Sequence, residues 1–364
     1  MDNIEIRNGV ASFAENKKSG LAWHRLGQQV DGAMHVDEAL KLCHADYQVQ
    51  MQPVMVLPLD IQNKILSGER IDEDTLLSLV LPNTKATVRT DINQSLGVVS
   101  DSYGVVQNED AFKFVDLLCT GKNVDRTDTP VIETCGVLGR GERVFVTAKF
   151  PEPVVLNARR DDLVEMYAVF TTSHDGTGSV RCMITPIRVV CNNTLNLAMK
   201  NNIGRICFRH SSNVMSRLDL LQQENADFAF KTLKLYDVYT SGLKEQFDHL
   251  RNIKLSEKDL DNILADVLLS PEAAKIFHEE GNIYAEGIKT RGRNIFLSVK
   301  EAMESGIGQA EQEAGTALWA INGLTTYYQN EANFSNEEIK FDSLMQGNAY
   351  NKIQKAQEML LAVA

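Results

Sequence analysis

Long apolar runs, paired cysteines, prolines and a surplus of positive charge are all scarce or missing in this chain. No stretch approaches the ~20 consecutive apolar residues that a membrane-spanning helix needs. Only 8 prolines and 23 glycines occur in 364 residues, with 43% apolar and 24% charged side chains. That excludes a collagen-like fibre, a low-complexity array and a disordered chain, and leaves a globular protein. The six cysteines, Cys43, Cys119, Cys135, Cys182, Cys191 and Cys207, include no CxxC pair. They sit mostly inside apolar runs, so reduced core thiols are expected in place of disulfides or structural zinc. Lysine and arginine number 37 against 49 aspartates and glutamates, a net charge of −12. Wholesale coating of nucleic acid or of an anionic membrane is thereby excluded, and any nucleic-acid site must be local. The first twenty residues carry Asp, Glu and Lys where a signal peptide would be apolar, which predicts a cytoplasmic chain with no membrane partner. There is no GxxxxGK[ST] phosphate loop, HExxH zinc helix or GxSxG elbow, so no cofactor and no metal is expected.

What is present divides near residue 212. A length of 364 residues suggests about two domains at roughly 150 residues each. Residues 1–212 read as mixed strand and helix: a helix over Asp37–His44, strands over Tyr47–Leu57, Lys85–Thr90 and Leu96–Val106, and a helix capped by Asn108. Trp23-His24 reads as an anchor for the N-terminal arm. Val131–Leu138 and Glu142–Phe150 flank Gly139-Arg140-Gly141, while Leu163–Thr172 and Ser179–Val190 flank His174-Asp175-Gly176-Thr177-Gly178. Both read as β-hairpins. Asn192 or Asn193 then opens a short helix to Lys200, and a strand covers Ile203–Phe208. Beyond Asn213 the period lengthens. Val214, Leu218, Leu221, Asn225, Phe228, Thr232, Leu235 and Tyr239 form a heptad seam, and helical patterns continue over 259–269, 288–303, 311–328 and 350–363. The predicted class is α+β: an antiparallel sheet with flanking helices over 1–212, followed by an all-α region over 213–364 that bundles or oligomerises.

Charge is unevenly spread. Between Gly136 and Asn213 ten basic residues stand against six acidic ones, so this segment is +4 and the remainder −16. On the strand Glu142–Phe150, alternation puts Val144, Val146, Ala148 and Phe150 on one face and Arg143, Phe145, Thr147 and Lys149 on the other. Cations that track phosphates, mixed with a ring that stacks on any base, are what a single-strand surface needs. Arg140, Arg143, Phe145, Lys149, Arg181, Arg188, Arg205 and Arg209 are therefore the candidate nucleic-acid residues, with a merely solvated sheet face as the alternative. A second constellation is His174, Asp175, Cys191, Asn192, Asn193 and His210. A thiol at a helix start beside a histidine with an acidic or amide partner has the makings of a nucleophile and base. Its alternative is a tight turn followed by a core cysteine.

Several of these stretches together, Trp23-His24-x-x-Gly27, Tyr103-Gly104-Val105-Val106-Gln107-Asn108, Ser173-His174-Asp175-Gly176, Thr185-Pro186-Ile187-Arg188-Val189-Val190-Cys191-Asn192-Asn193-Thr194-Leu195 and Arg209-His210, resemble the phage/plasmid-like protein family catalogued as a domain of unknown function. Family members often carry Arg-His-Thr where this chain has Arg209-His210-Ser211. The resemblance implies a bacteriophage or plasmid origin in a bacterial cell and brings no activity. More loosely, the order of strands and helices is similar to the phage single-strand annealing recombinases. The expected function is non-specific binding of single-stranded DNA by a homo-oligomer, extending to annealing of complementary strands. An enzyme using the His174, Asp175 and Cys191 neighbourhood, or an acidic protein that inhibits a host factor, are the alternatives.

Overall fold

The computed structural model describes residues 4–16, 27–32, 34–120, 130–157, 162–188, 193–194, 205–214, 236–237, 242–243, 245–305, 313–335 and 347–363, together with 216, 240, 339–340 and 343–344. Trp23, His24, residues 195–200 of the helix expected after Asn192 and most of the heptad seam lie outside them; Asn193–Thr194, where that helix was expected to open, form a short strand against residues 187–188 instead. The architecture is α+β, with antiparallel sheets, flanking helices and a helical C-terminal region.

The main sheet grows from two long hairpins. Strand β8 (Val131–Leu138) pairs with β9 (Arg143–Lys149), and β11 (Asp162–Ser173) pairs with β12 (Val180–Arg188). β9 and β11 join the two hairpins. Near the N-terminus, β1 (Ile6–Arg7) and β2 (Val10–Ala11) make a small ladder of their own. β3 (Phe13–Asn16) then adds to β8, and β4 (Gln28–Val30) adds to β3 in the parallel sense. β10 (Val154–Asn157) lies against β11, while β13 (Asn193–Thr194) and β14 (Arg205–Phe208) both lie against β12. A separate three-stranded sheet is formed by β5 (Val49–Met55), β6 (Val80–Arg89) and β7 (Gln94–Ser100).

Alternation along these strands gives one face of the main sheet to the core. Ile132, Cys135, Val137, Val144, Val146, Ala148, Ala168, Phe170, Cys182 and Ile184 are all buried there. They pack with helix α1 (Val36–Leu42) and helix α4 (Asn108–Thr120), whose Ala111, Phe112, Val115 and Leu118 recur at helical spacing and are buried. Two short helices, α2 (Leu59–Leu66) and α3 (Glu73–Ser78), interrupt the turn between β5 and β6. The helical patterns read beyond residue 213 reappear as α5 (Glu257–Leu268), α7 (Thr290–Ser305), α8 (Ala317–Thr326) and α9 (Asn348–Ala362). An additional α6 (Pro271–Glu280) follows α5 directly, because Ser270 caps it from Ala273 N–H and Pro271 occupies the first turn, where no N–H is needed. α8 passes into a π-turn over Tyr327–Glu331. Gly323 lets α8 approach α7 closely, since a Cβ there would stand 2.1 Å from Met303 Cγ.

The sheet and the helices share one buried apolar cluster, with Phe150 stacked on Tyr236 at 3.9 Å between ring centroids. Cys43, Cys135 and Cys182 are buried free thiols, as core cysteines should be. Cys207 departs from that expectation and is exposed.

Candidate functional site

The second face of the main sheet carries two unbroken cross-strand rows. Directly opposed residues share a face. One row therefore runs Phe13, Gly136, Phe145, Thr171, Arg181 and Cys207 over β3, β8, β9, β11, β12 and β14. The neighbouring row runs Glu15, Thr134, Thr147, Val169, Met183 and Arg205 over the same strands. Thr134 and Thr147 hydroxyls hydrogen-bond across the strands at 2.6 Å. Thr134, Phe145, Thr147, Arg181 and Met183 are half-buried, while Phe13, Glu15, Gly136, Val169 and Thr171 in the same rows are buried, so the open part of this face lies on β8 and β9 and on β12, to either side of β11.

The expected cations are distributed differently from the expectation of a shared basic strip. Arg143 is only 3% exposed. Its Nη2 donates to Thr177 Oγ1 at 3.1 Å and lies 3.9 Å from an Asp175 carboxylate oxygen. Lys149 does share the half-buried face, but its Nζ donates to Glu165 at 2.6 Å and lies 3.9 Å from Glu133. Phe145 presents part of its ring and packs the rest against Phe13 at 6.2 Å, beside Ile4, Ala11 and Leu138. Arg140 is exposed in the β8–β9 turn and paired with Glu142. Arg181 is half-buried, its Nε donating to Ser179 Oγ at 2.7 Å, and Arg209 is exposed just past β14. Arg205 takes a register position opposite Met183, on the same face as Arg181. Arg188 is opposite Val164 and so belongs to the other face. The cationic part of the surface thus gathers at the β12–β14 edge.

The tip of the β11–β12 hairpin is wedged against the three-stranded sheet. A Cβ on Gly97 would fall 2.5 Å from Asp175 Cα, so β7 meets the hairpin backbone directly and only glycine fits. Thr87 Oγ1 donates to the His174 carbonyl at 2.5 Å, Tyr103 Oη to the Ser173 carbonyl at 3.0 Å, and His174 N–H to the Glu142 carbonyl at 2.8 Å. Asp175 shapes the turn by accepting from Thr177 N–H at 2.9 Å.

Inside this wedge the histidine tautomers are set by their neighbours. Asn108 Nδ2 donates to the Ala45 carbonyl at 2.8 Å, which leaves its Oδ1 to accept from His174 Nε2, also at 2.8 Å. His174 Nδ1 is then a bare acceptor, fully buried and without a hydrogen-bond partner among the described residues. His210 Nδ1 donates to the Gly104 carbonyl at 3.0 Å and the ring stacks on Tyr103 at 4.9 Å, so His210 Nε2 is a second bare acceptor. Burial, with the nearby His210 and Arg89 charges, pushes the His174 imidazole down to about 3. Burial also lowers His210, outweighing the Gly104 hydrogen bond and Asp175, which act the other way. His174 is thus a neutral acceptor at ordinary pH, and His210 is shifted toward the neutral form.

Asn108 therefore serves His174 and Ala45, in place of the helix-capping role expected of it. Close by, the fully buried Arg89 reaches Glu5 at 2.6 Å, Asp91 at 2.9 Å and the Arg140 carbonyl at 2.9 Å, with its guanidinium 3.9 Å from the Tyr47 ring centroid.

His174, Asp175 and His210 thus come together. Cys191 and Asn192 lie outside the described residues, and Asn193 pairs with Arg188 at the far end of β12, eight residues and about 26 Å from Val180. Among the described residues no three His, Cys, Asp or Glu side chains gather as a metal site would need.

The family described as Domain of unknown function (DUF932) matches residues 95–357, which takes in both hairpins, the histidine pair and the helical region. The chain belongs to this family. No curated protein and no solved structure matches it. Within the DUF932 match, Tyr103, Asn108, His174 and His210 form one connected polar unit. Arg89, Thr87 and Glu5 support it from outside the matched range.

Proposed function

We propose that this DUF932 protein binds single-stranded DNA without sequence preference on the half-buried face of its main sheet. The observation that carries the reading is the pair of cross-strand rows. They supply a partly exposed ring at Phe145 and a soft apolar side chain at Met183, with Arg181 and Arg205 at the β12–β14 edge beside the exposed Arg209. Bases lie over Phe145 and Met183, while phosphates meet the edge arginines. Arg143 is held by the hairpin tip and Lys149 by Glu165, so the phosphate contacts belong to Arg181, Arg205 and Arg209. A duplex hides its base faces and offers phosphates only. With the body of the chain strongly acidic, single strands are preferred. The role fits DNA metabolism in a bacteriophage or plasmid within a bacterial cytoplasm, and annealing follows where two loaded faces meet.

Fluorescence anisotropy with a labelled oligonucleotide at several salt concentrations tests the proposal. Each phosphate contact adds about −0.7 to the slope of log affinity against log salt, so Arg181→Ala and Arg209→Ala each make the slope shallower. Phe145→Ala weakens binding and leaves the slope unchanged, because stacking releases no counterions. No binding at low salt, or binding indifferent to the paired arginine substitutions, ends the proposal.

A further inference from the structure

Residues 51–86 have the composition of a core without having one. They include fifteen Met, Val, Leu and Ile side chains, of which only Ile61 is buried. The excursion between β5 and β6 carries α2 and α3. It is closed at its base by Met55 paired with Val80 and by Val56 N–H donating to the Leu79 carbonyl at 2.9 Å. α3 buries no residue at all. Leu66 is 84% exposed, Leu59 72% and Leu77 63%, and Val56, Leu57, Ile65 and Leu81 are exposed with them. Single exposed apolar side chains are ordinary, but a concentration of this size on one element marks an interface.

We infer that this arm is the contact by which two copies of the chain pair about a two-fold axis, arm against arm. Two features select the occupant. The seven exposed side chains present roughly 700 Å² of apolar surface, which approaches the ~800 Å² that each partner of a stable interface buries. The arm carries seven of the seventeen large apolar side chains exposed among the described residues, more than any other element, so the matching surface is the same arm on another copy. A self-complementary contact of this kind closes at two subunits. The rim also suits itself. Lys64 and Arg70 share the arm with Asp60, Glu69 and the run Asp72-Glu73-Asp74, so a two-fold pairing can set one copy's cations against the other's acids. Between Val56 and Leu79 five acids against two bases leave each arm at −3, so net repulsion opposes the apolar contact, and salt strengthens the dimer by screening it.

Sedimentation velocity of the full chain at micromolar concentration, in low and in high salt, tests this. The wild type is expected to sediment as a dimer that tightens as salt rises. Leu66→Glu and Leu77→Glu are expected to sediment as monomers with an unchanged far-ultraviolet circular dichroism spectrum, since neither side chain supports the fold, and to unfold at a slightly lower temperature because the stabilisation by association is lost. If a glutamate variant does not fold, Leu59→Gln combined with Leu66→Gln reads the same contact without added charge. A wild-type monomer, a dimer that survives these substitutions, or an assembly larger than a dimer overturns the inference. Single-strand binding plays no part in the readout, so failure here and failure of the proposed function are separable.

Discussion

His174 gives a sharp prediction about acid stability, because its neutral state is imposed by the fold. The ring is fully buried, donates from Nε2 to Asn108 and holds a bare Nδ1, and its pKa is pushed down to about 3. In the unfolded chain a histidine titrates near 6.5. Between those values the unfolded state binds a proton that the folded state refuses, so stability is complete above about pH 6.5 and falls as the pH drops toward 3. The limiting slope for one such group is about 1.4 kcal/mol per pH unit, and integration from pH 7.5 to pH 5 gives a loss of about 2 kcal/mol. His210 is lowered too and acts in the same direction. Most carboxylates titrate below this window. The perturbation is His174→Gln, whose amide can still donate to Asn108 Oδ1 but has nothing to protonate. The variant is less stable at pH 7.5, and its stability falls less steeply between pH 6.5 and 5. Denaturant unfolding of both proteins at half-unit steps measures the two slopes. Equal slopes would refute the reasoning, because His174 would then take up its proton in the folded state.

Three other outcomes follow from the same region and from the helices. Arg89→Met takes the buried guanidinium away from Glu5, which keeps Ser12 Oγ at 2.8 Å, and from the Arg140 carbonyl, while Asp91 keeps Arg7 at 2.7 Å, and should cost about 3 kcal/mol in denaturant unfolding. Gly97→Ala sets a methyl against the Asp175 backbone and should cost about 1–3 kcal/mol or more; a thermal shift within error would show that β7 and the hairpin tip are not in contact. Thr316→Ala removes the cap that accepts from Trp319 N–H at 3.1 Å, for a loss of about 1 kcal/mol by the same unfolding measurement.

Strand alternation was the most legible feature. Arg143, Phe145, Thr147 and Lys149 could be assigned to one face, and Val144, Val146 and Ala148 to the core, because a period of two needs only local sequence. Their partners could not be read. Arg143 is neutralised by a turn 34 residues away, and Lys149 by Glu165 on a strand that pairs later. His174-Asp175-Gly176 was readable as turn chemistry, and Asp175 does shape the turn, but the burial of His174 depends on Asn108, 66 positions earlier. Strands β1 to β4, with two to four residues each, are too short to show a period. Helices α2 and α3 fell between strand signals, since amphipathic patterns are recognised by the core they face and this arm has little of one.

The DUF932 match begins at residue 95, inside strand β7, and this bears on how the chain can be divided. A fragment starting there keeps both hairpins, α4 and the C-terminal helices yet loses β1 to β6 and α1 to α3. The β8 edge would stand open along Thr134, Cys135 and Gly136, presenting unpaired N–H and C=O groups as a template for aggregation. The hairpin tip would also lose the Thr87 hydroxyl that holds the His174 carbonyl. Sequence kinship and physical autonomy have different borders here, and a soluble excised piece must begin ahead of Glu5, where the chain first contributes a carboxylate to the buried Arg89.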